Sequence, residues 1–345
     1  MIKRREFLKW LAAIFTVIFS GCIDKGDTTG EKQEIVKEGE PLKRAIKSEV
    51  CVIKTSDRGL GIKELMKYFD AGSLSGKNVA LKANYNSADP FPASTHINTL
   101  SALTRALKEK GASVILAERS GMGNTREVLE KTGVMELAGK ERFDVMVLDD
   151  LKSSEWVKEK SQASHWKRGF LFPKLFKDAD AIVQTCCLKT HRYGGHFTMS
   201  LKNSVGMAAK YDPEDGYNYM AELHSSRYQR QMIAEINTAY KPEFVIMDGI
   251  AGFSKGGPDE GTLIEPGIML ASRDRVALDA AGVAVLRIYG TTGEVSRGSI
   301  FEQEQIARAA ELGLGARAHD EVEVVPVNYE AQGICSKIKE ELQKK

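Results

Sequence analysis

Cysteine is scarce in this chain, five among 345 residues, and no two are spaced Cys-x-x-Cys. A disulfide-built scaffold and the common dithiol and zinc-ribbon motifs are thereby excluded. An excess of one charge is missing too, since 49 Lys and Arg stand against 47 Asp and Glu. Without a basic surplus to neutralise a phosphate backbone, nucleic acid is not an expected partner. A membrane-spanning helix needs roughly twenty consecutive apolar residues. The run from Trp10 to Phe19 falls well short of that, and no internal repeat is apparent.

What is present begins with that run. Lys3-Arg4-Arg5-Glu6-Phe7-Leu8-Lys9 follows the twin-arginine export pattern, with Lys3 where Ser or Thr is usual. The run closes on Phe19-Ser20-Gly21-Cys22, a lipoprotein-type cleavage box with Phe19 in place of the commoner Leu. Residues 1–21 are therefore expected to be a signal peptide read by the twin-arginine machinery. Cys22 is expected to carry the lipid that anchors an extracytoplasmic protein to the membrane. Residues 22–48, rich in Lys, Glu, Gly and Thr, read as a solvated tether. Twin-arginine signals serve proteins exported already folded, often with a cofactor inserted, so a cofactor of unknown identity is compatible with this leader.

From residue 49 to 345 short β-branched runs alternate with amphipathic stretches, the pattern of an α/β domain with a mostly parallel sheet and helices on both faces. Strands are expected at 50–54, 79–84, 113–118, 144–148, 181–187, 244–248, 267–272 and 322–327. Ile97, Leu100, Leu103 and Leu107 recur at helical spacing before a stop at Gly111, as do Ile306, Ala309 and Ala310 farther on. Several strands end in polar residues: Lys82-Ala-Asn84, Glu118, Asp149-Asp150, Lys189-Thr-His191 and Asp248-Gly249. In an open parallel sheet those exits share one edge, where ligands bind. For Glu118 and Asp149 the plainer reading is a first wetted position or a helix cap.

Between 186 and 207 a buried strand leads into a turn with Gly194 and Gly195, and a helix is expected from about Thr198. Such a turn can present free N–H groups and a positive dipole end to an anion. Lys189, His191, His196 and Lys202 are placed to gather around it, with Asn203 on the helix beside Lys202. Cys186 and Cys187 point to opposite faces if they lie in a strand, and read as buried inert thiols. A Cys51 to Cys335 bridge stays open. His191, His196 and His224 with an acid such as Asp248 leave a divalent metal open, although their spacing matches no standard zinc pattern. Phe253 to Gly261, containing Gly257 and Pro258, either closes over a ligand or reverses the chain between strands. Asp274 is a natural N-cap, and Asp279, set among apolar neighbours, requires a lysine, a backbone N–H pair or a cation.

Lys82-Ala-Asn84, Leu188-Lys-Thr-His191, Leu201-Lys-Asn-Ser-Val-Gly206, Asp248-Gly249, Gly257-Pro258 and Asp274-Arg-Val-Ala with Asp279 occur here in an order and spacing that resemble the domain-of-unknown-function 362 family, over about residues 50 to 290. The resemblance implies an α/β domain carrying these motifs and brings no established reaction. Some relatives bear a ferredoxin-like segment. This chain lacks that cysteine run, so no iron–sulfur cluster is expected. Ala83 stands where a proline is often found.

The expectation from sequence is a lipid-anchored enzyme acting on a small anionic molecule. Lys189 and Lys202 hold negative charge, His191 serves as acid or base, and Asn203 orients. Lys82, Asn84, Gly194, Gly195 and Gly257 contact substrate, and Asp248 and Asp279 position the lysines or a cation. The rivals are a tethered solute-binding protein, with two hinged lobes, and a maturation factor for an exported redox enzyme, with a broad apolar patch.

Overall fold

Apolar runs without alternation, as at 50–53 and 268–271, suit strands covered on both faces. The computed structural model describes residues 47–69, 74–161 and 164–345. The leader, Cys22 and nearly all of the expected tether lie outside the described residues. The strands are β1 (Ser48–Lys54), β2 (Asn78–Lys82), β3 (Ser113–Glu118), β4 (Asp144–Val147), β5 (Trp156–Glu159), β6 (Phe170–Pro173), β7 (Ala181–His191), β8 (His196–Phe197), β9 (Phe244–Gly256), β10 (Gly261–Ile264), β11 (Ile268–Ser272) and β12 (Val322–Pro326). The main sheet runs β12-β1-β11-β9-β7-β2-β3-β4. Only β11 runs against its neighbours β1 and β9; every other adjacent pair in that order is parallel. The fold is thus α/β with a mostly parallel sheet, and these eight strands are the eight expected from sequence.

Alternate residues of a strand go to opposite faces. Val50, Val52, Val245, Met247 and Leu270 pack with the helix Arg275–Ile288 on one face. Cys51, Ile53, Phe244, Ile246 and Met269 pack with the helices Arg58–Leu65 and Ile97–Glu109 on the other. Burying a side chain of this size contributes about 1.5–3 kcal/mol, so the two layers fix the register of the central strands. The helix ends follow the expected chemistry. Asp274 accepts from the N–H groups of Val276 and Ala277 at 2.8 and 3.0 Å, and Gly111 sits at φ +82° beyond Glu109. All four cysteines among the described residues are buried and free, so Cys51 and Cys335 are not bridged. Burial pushes the Cys51 and Cys187 thiols up to about 12, which makes them inert.

The segment after β7 departs from expectation. β7 continues to His191 and pairs with the short β8, Thr190 opposite Phe197 and His191 opposite His196. Gly194 and Gly195 therefore form a hairpin tip and do not open a helix. The helix begins only at Ser200 and passes at Ser204 into a 3₁₀ turn ending at Met207. Its N-terminus already holds an anion from within the chain. Asp279 accepts from the N–H groups of Ser200 and Leu201 at 2.8 and 2.9 Å and from the Ser200 hydroxyl at 2.5 Å. Likewise β9 runs on to Gly256 and turns back into β10, so the Gly257-Pro258 loop reverses the chain. A Cβ on Gly257 would lie 2.0 Å from the Thr190 carbonyl oxygen, and that close approach to β7 is what demands glycine there.

The strand order places the site. β2, β3 and β4 step outward in one direction, whereas β7 and β9 step outward in the other, so chain order reverses between β2 and β7. A crevice forms outside the carboxyl ends of strands at such a reversal.

Candidate functional site

A cavity of about 510 Å³ lies at that edge, within the range of small-molecule sites. The carboxyl ends of β2, β3 and β7 supply Lys82, Glu118, Lys189 and His191, and the residues just beyond β2 and β3 supply Asn84, Tyr85 and Arg119. The 200–207 segment adds Lys202 and Asn203, and the helix Tyr219–Ser225 adds Met220 and His224. Lys82, Asn84, Lys189, His191, Lys202 and Asn203, singled out from the sequence, all line this one cavity. Its lining carries the cations Lys82, Arg119, Lys189, Lys202 and Lys210 and a single carboxylate, Glu118. The field inside therefore favours an anion.

Some of these groups are committed to the frame. Lys82 Nζ forms a buried ion pair with Glu118 and also donates to the Ala83 carbonyl at 2.5 Å and to Asn203 Oδ1 at 3.1 Å. Glu118 further accepts from the N–H groups of Tyr85 and Arg119. Burial pulls the Lys82 ammonium below its ordinary value and pushes the Glu118 carboxyl above its own, while their contact opposes both shifts. Asn203 uses its Nδ2 on the Thr185 carbonyl at 3.0 Å, so its amide bridges Lys82 to β7 and is not a free orienting donor. Lys189 donates to the carbonyls of Ala93 and Pro258, which ties β7 to two loops. Arg119 donates to the Val205 carbonyl, and its Nε, sealed behind the wall, finds no acceptor among the described residues. Burial pulls that guanidinium down to about 10.

Other groups are left free. The Lys202 ammonium makes no hydrogen bond or ion pair to any described residue. Burial, followed by the charges of Lys189 and Arg119, brings it down to about 7. At neutral pH a large share of this amine is uncharged. Beside it, His191 accepts the Gly195 N–H on Nδ1 at 3.2 Å. Burial and the nearby Lys202 and Lys189 charges hold its imidazole far below the ordinary value. With Nδ1 accepting, the ring proton of this neutral histidine sits on Nε2, so His191 offers a hydrogen-bond donor. His224 is the complement. Its Nδ1 donates to the Met220 carbonyl at 2.7 Å, which leaves Nε2 as an acceptor, and burial with Lys202 and Arg119 nearby lowers its value. The Asn84 side-chain amide is also without a partner among the described residues.

The remaining expected site residues do not line this cavity. Asp248 lies on the β9 face opposite that of Met247 and is therefore directed to the helix layer, where it accepts from Arg58 Nε at 2.8 Å and Thr99 Oγ1 at 2.6 Å. Asp279 caps the Ser200 helix, and burial pushes its carboxyl up to about 6 despite three donors. Gly194 gives its carbonyl to Arg230 at 2.7 Å, and Gly257 packs against β7. Gly195 backs the wall: a Cβ there would lie 2.8 Å from His191 Nδ1 and 3.0 Å from Lys202 Cε. His191, His196, His224 and Asp248 do not converge. No group of three or more His, Cys, Asp or Glu among the described residues is placed to hold a metal ion.

Sequence reasoning missed Arg119, Tyr85 and Met220 and took Glu118 for a wetted strand exit. The usable signal was the Glu118-Arg119 pair at the end of an apolar strand neighbouring Lys82. Opposite charges at adjacent strand exits on one sheet edge are placed to pair.

Among known proteins, the chain is 25% identical over 203 residues to the thylakoid-associated protein sll1697 of Synechocystis sp. (strain ATCC 27184 / PCC 6803 / Kazusa). The aligned part is 57% of this chain and 59% of that protein, so the chain spans less than two thirds of its relative's length. The lactate racemase apoprotein from Thermoanaerobacterium thermosaccharolyticum aligns at 14% identity with a TM-score of 0.42, covering 66% of this chain and 55% of its own; a likeness this partial transfers no chemistry. Residues 79–284 match the family described as Domain of unknown function (DUF362), a span that contains every residue of the cavity named above. The chain belongs to the DUF362 family.

Proposed function

We propose that this protein is an enzyme acting on a small anionic molecule, anchored outside the cytoplasm by lipid on Cys22 after twin-arginine export. The observation that carries the catalytic part is the imbalance inside the cavity. Five basic side chains face one carboxylate, that carboxylate is consumed by Lys82, Lys210 is paired with Asp149, and Lys202 is left unpartnered, with His191 beside it and His224 within reach of its charge, two histidines of opposite hydrogen-bonding sense. An anion would satisfy Lys202, the His191 Nε2–H would donate to its polar end, and His224 Nε2 would take a proton. The binding-protein alternative calls for two hinged lobes, whereas the described residues form one unit built on a single main sheet. The anchoring part rests on Lys3-Arg4-Arg5 and on Ser20-Gly21-Cys22.

Calorimetric titration with a panel of small carboxylates and phosphate monoesters tests the first part. At least one should bind, more weakly as salt is raised, and Lys202→Met should weaken it by about tenfold or more, the cost of one charge-assisted hydrogen bond. Saturable binding that ignores both salt and Lys202 would contradict the assignment, as would no binding across the panel. The second part predicts that Cys22→Ser moves the protein from the membrane fraction to the soluble extracytoplasmic fraction. An unchanged membrane association would remove the lipid anchor from the account.

A further inference from the structure

We propose that the anionic substrate also carries a carbonyl group, and that Lys202 captures it as an imine. This rests on the anion-binding reading above and names its substrate class: a 2-oxo acid or a comparable small oxo anion.

Three features of the cavity point to a nucleophilic amine. The Lys202 ammonium has no acceptor among the described residues, unlike Lys82 and Lys189 on the same wall, which are held by a carboxylate and by backbone carbonyls. Its charged neighbours are cationic, Lys189 and Arg119, which favour the neutral amine and leave an anion as the natural occupant. Gly195 lets the Lys202 stem and the His191 ring lie side by side, since a Cβ at that position would crowd both. Lys82 and Lys189 are held as ammonium groups by their acceptors, whereas Lys202 has none and its lone pair is free to attack.

The step balances with the groups present. The lone pair of neutral Lys202 Nζ forms a bond to the carbonyl carbon as the C=O π pair moves to oxygen, which His191 Nε2–H supports by hydrogen bonding. Nitrogen gives up a proton to His224 Nε2, which passes it to the oxygen, giving the carbinolamine. The C–O bond then breaks as the oxygen takes a second proton from solvent and leaves as water, while nitrogen, keeping its remaining proton, supplies the pair that completes C=N. One amine, one carbonyl and one solvent proton give one protonated imine and one water, with no change of oxidation state. The protonated imine then draws electrons from the adjacent carbon, which eases loss of a proton or of carbon dioxide there.

The full-length protein is incubated with pyruvate or 2-oxoglutarate, reduced with borohydride and mapped by peptide mass spectrometry. In parallel, propionate and glutarate, which lack the oxo group, are tested for binding. The expected result is a reduced adduct on Lys202 with the oxo acids, more of it as pH rises through about 7, and its loss in Lys202→Arg, which keeps the positive charge. Anions that bind without any adduct at Lys202 would overturn the imine and leave the anion reading intact. Adducts spread evenly over surface lysines would also overturn it. Neither binding nor adduct would overturn both.

Discussion

Replacing Glu118 with alanine should destabilise the fold by about 3–5 kcal/mol, the cost of removing one partner from a buried ion pair. Both side chains are essentially inaccessible, Glu118 at 0% and Lys82 at 2% side-chain exposure. The alanine would leave the Lys82 ammonium facing only the Ala83 carbonyl and Asn203 Oδ1, and would strip the acceptor from the N–H groups of Tyr85 and Arg119. At roughly 2–4 °C per kcal/mol for a domain of this size, Tm should fall by about 6–20 °C. Adding Lys82→Met to Glu118→Gln should recover most of the loss, because an apolar stem then replaces the stranded charge. A drop under about 1 kcal/mol in the alanine variant, or a double variant no better than the single, would mean the pair is not buried as described.

The second large effect concerns Lys202. An unperturbed lysine titrates near 10.4, and in the folded chain this one is brought down to about 7. Between those values the unfolded state binds the extra proton, so stability contributed through Lys202 rises with pH from about 7 toward about 10. Below pH 7 the ammonium is charged in both states, and its confinement beside Lys189 and Arg119 opposes folding. Lys202→Met should therefore stabilise the protein near pH 6, on the order of 3 kcal/mol after allowing for water and salt in the cavity. That gain should fade as pH climbs toward 10. The same variant loses the anion, so stability and binding move in opposite directions, as expected where a site keeps an unfavourable charge for its ligand.

Seven of the eight strands in the main order were legible as largely buried apolar runs of five or more residues, and the shorter β4 through its Val145-Met-Val run; one helix start was legible from the Asp274 cap and another, at Ile97, from 3.6-residue periodicity. The ribbon β5–β6 and the two-residue β8 were not, because strands this short carry little periodic signal, and β10 is largely exposed. The 192–199 segment misled for a physical reason. Paired glycines before a polar helix suit both a hairpin tip and an anion-binding turn, and only the pairing of His191 with His196 decides between them. Lys82, Lys189 and His191 could be placed at one edge as exits of parallel strands, and Lys202 near them from its place on the helix that follows. Which of them is free could not, since that depends on partners distant in sequence, Glu118 for Lys82 and Ala93 for Lys189, and on the hairpin that folds Gly195 back onto His191.

Lysine-selective ¹³C NMR gives the most direct test, following the ε-carbon signals of the full-length protein from pH 5 to 11 and identifying Lys202 by its absence in Lys202→Arg. One resonance should titrate near 7 and move upward when a bound anion places negative charge beside the amine. If Lys202 instead titrates with the surface lysines near 10, with or without an anion, it is an ordinary solvated cation and the account of the cavity as an anion-directed catalytic site fails.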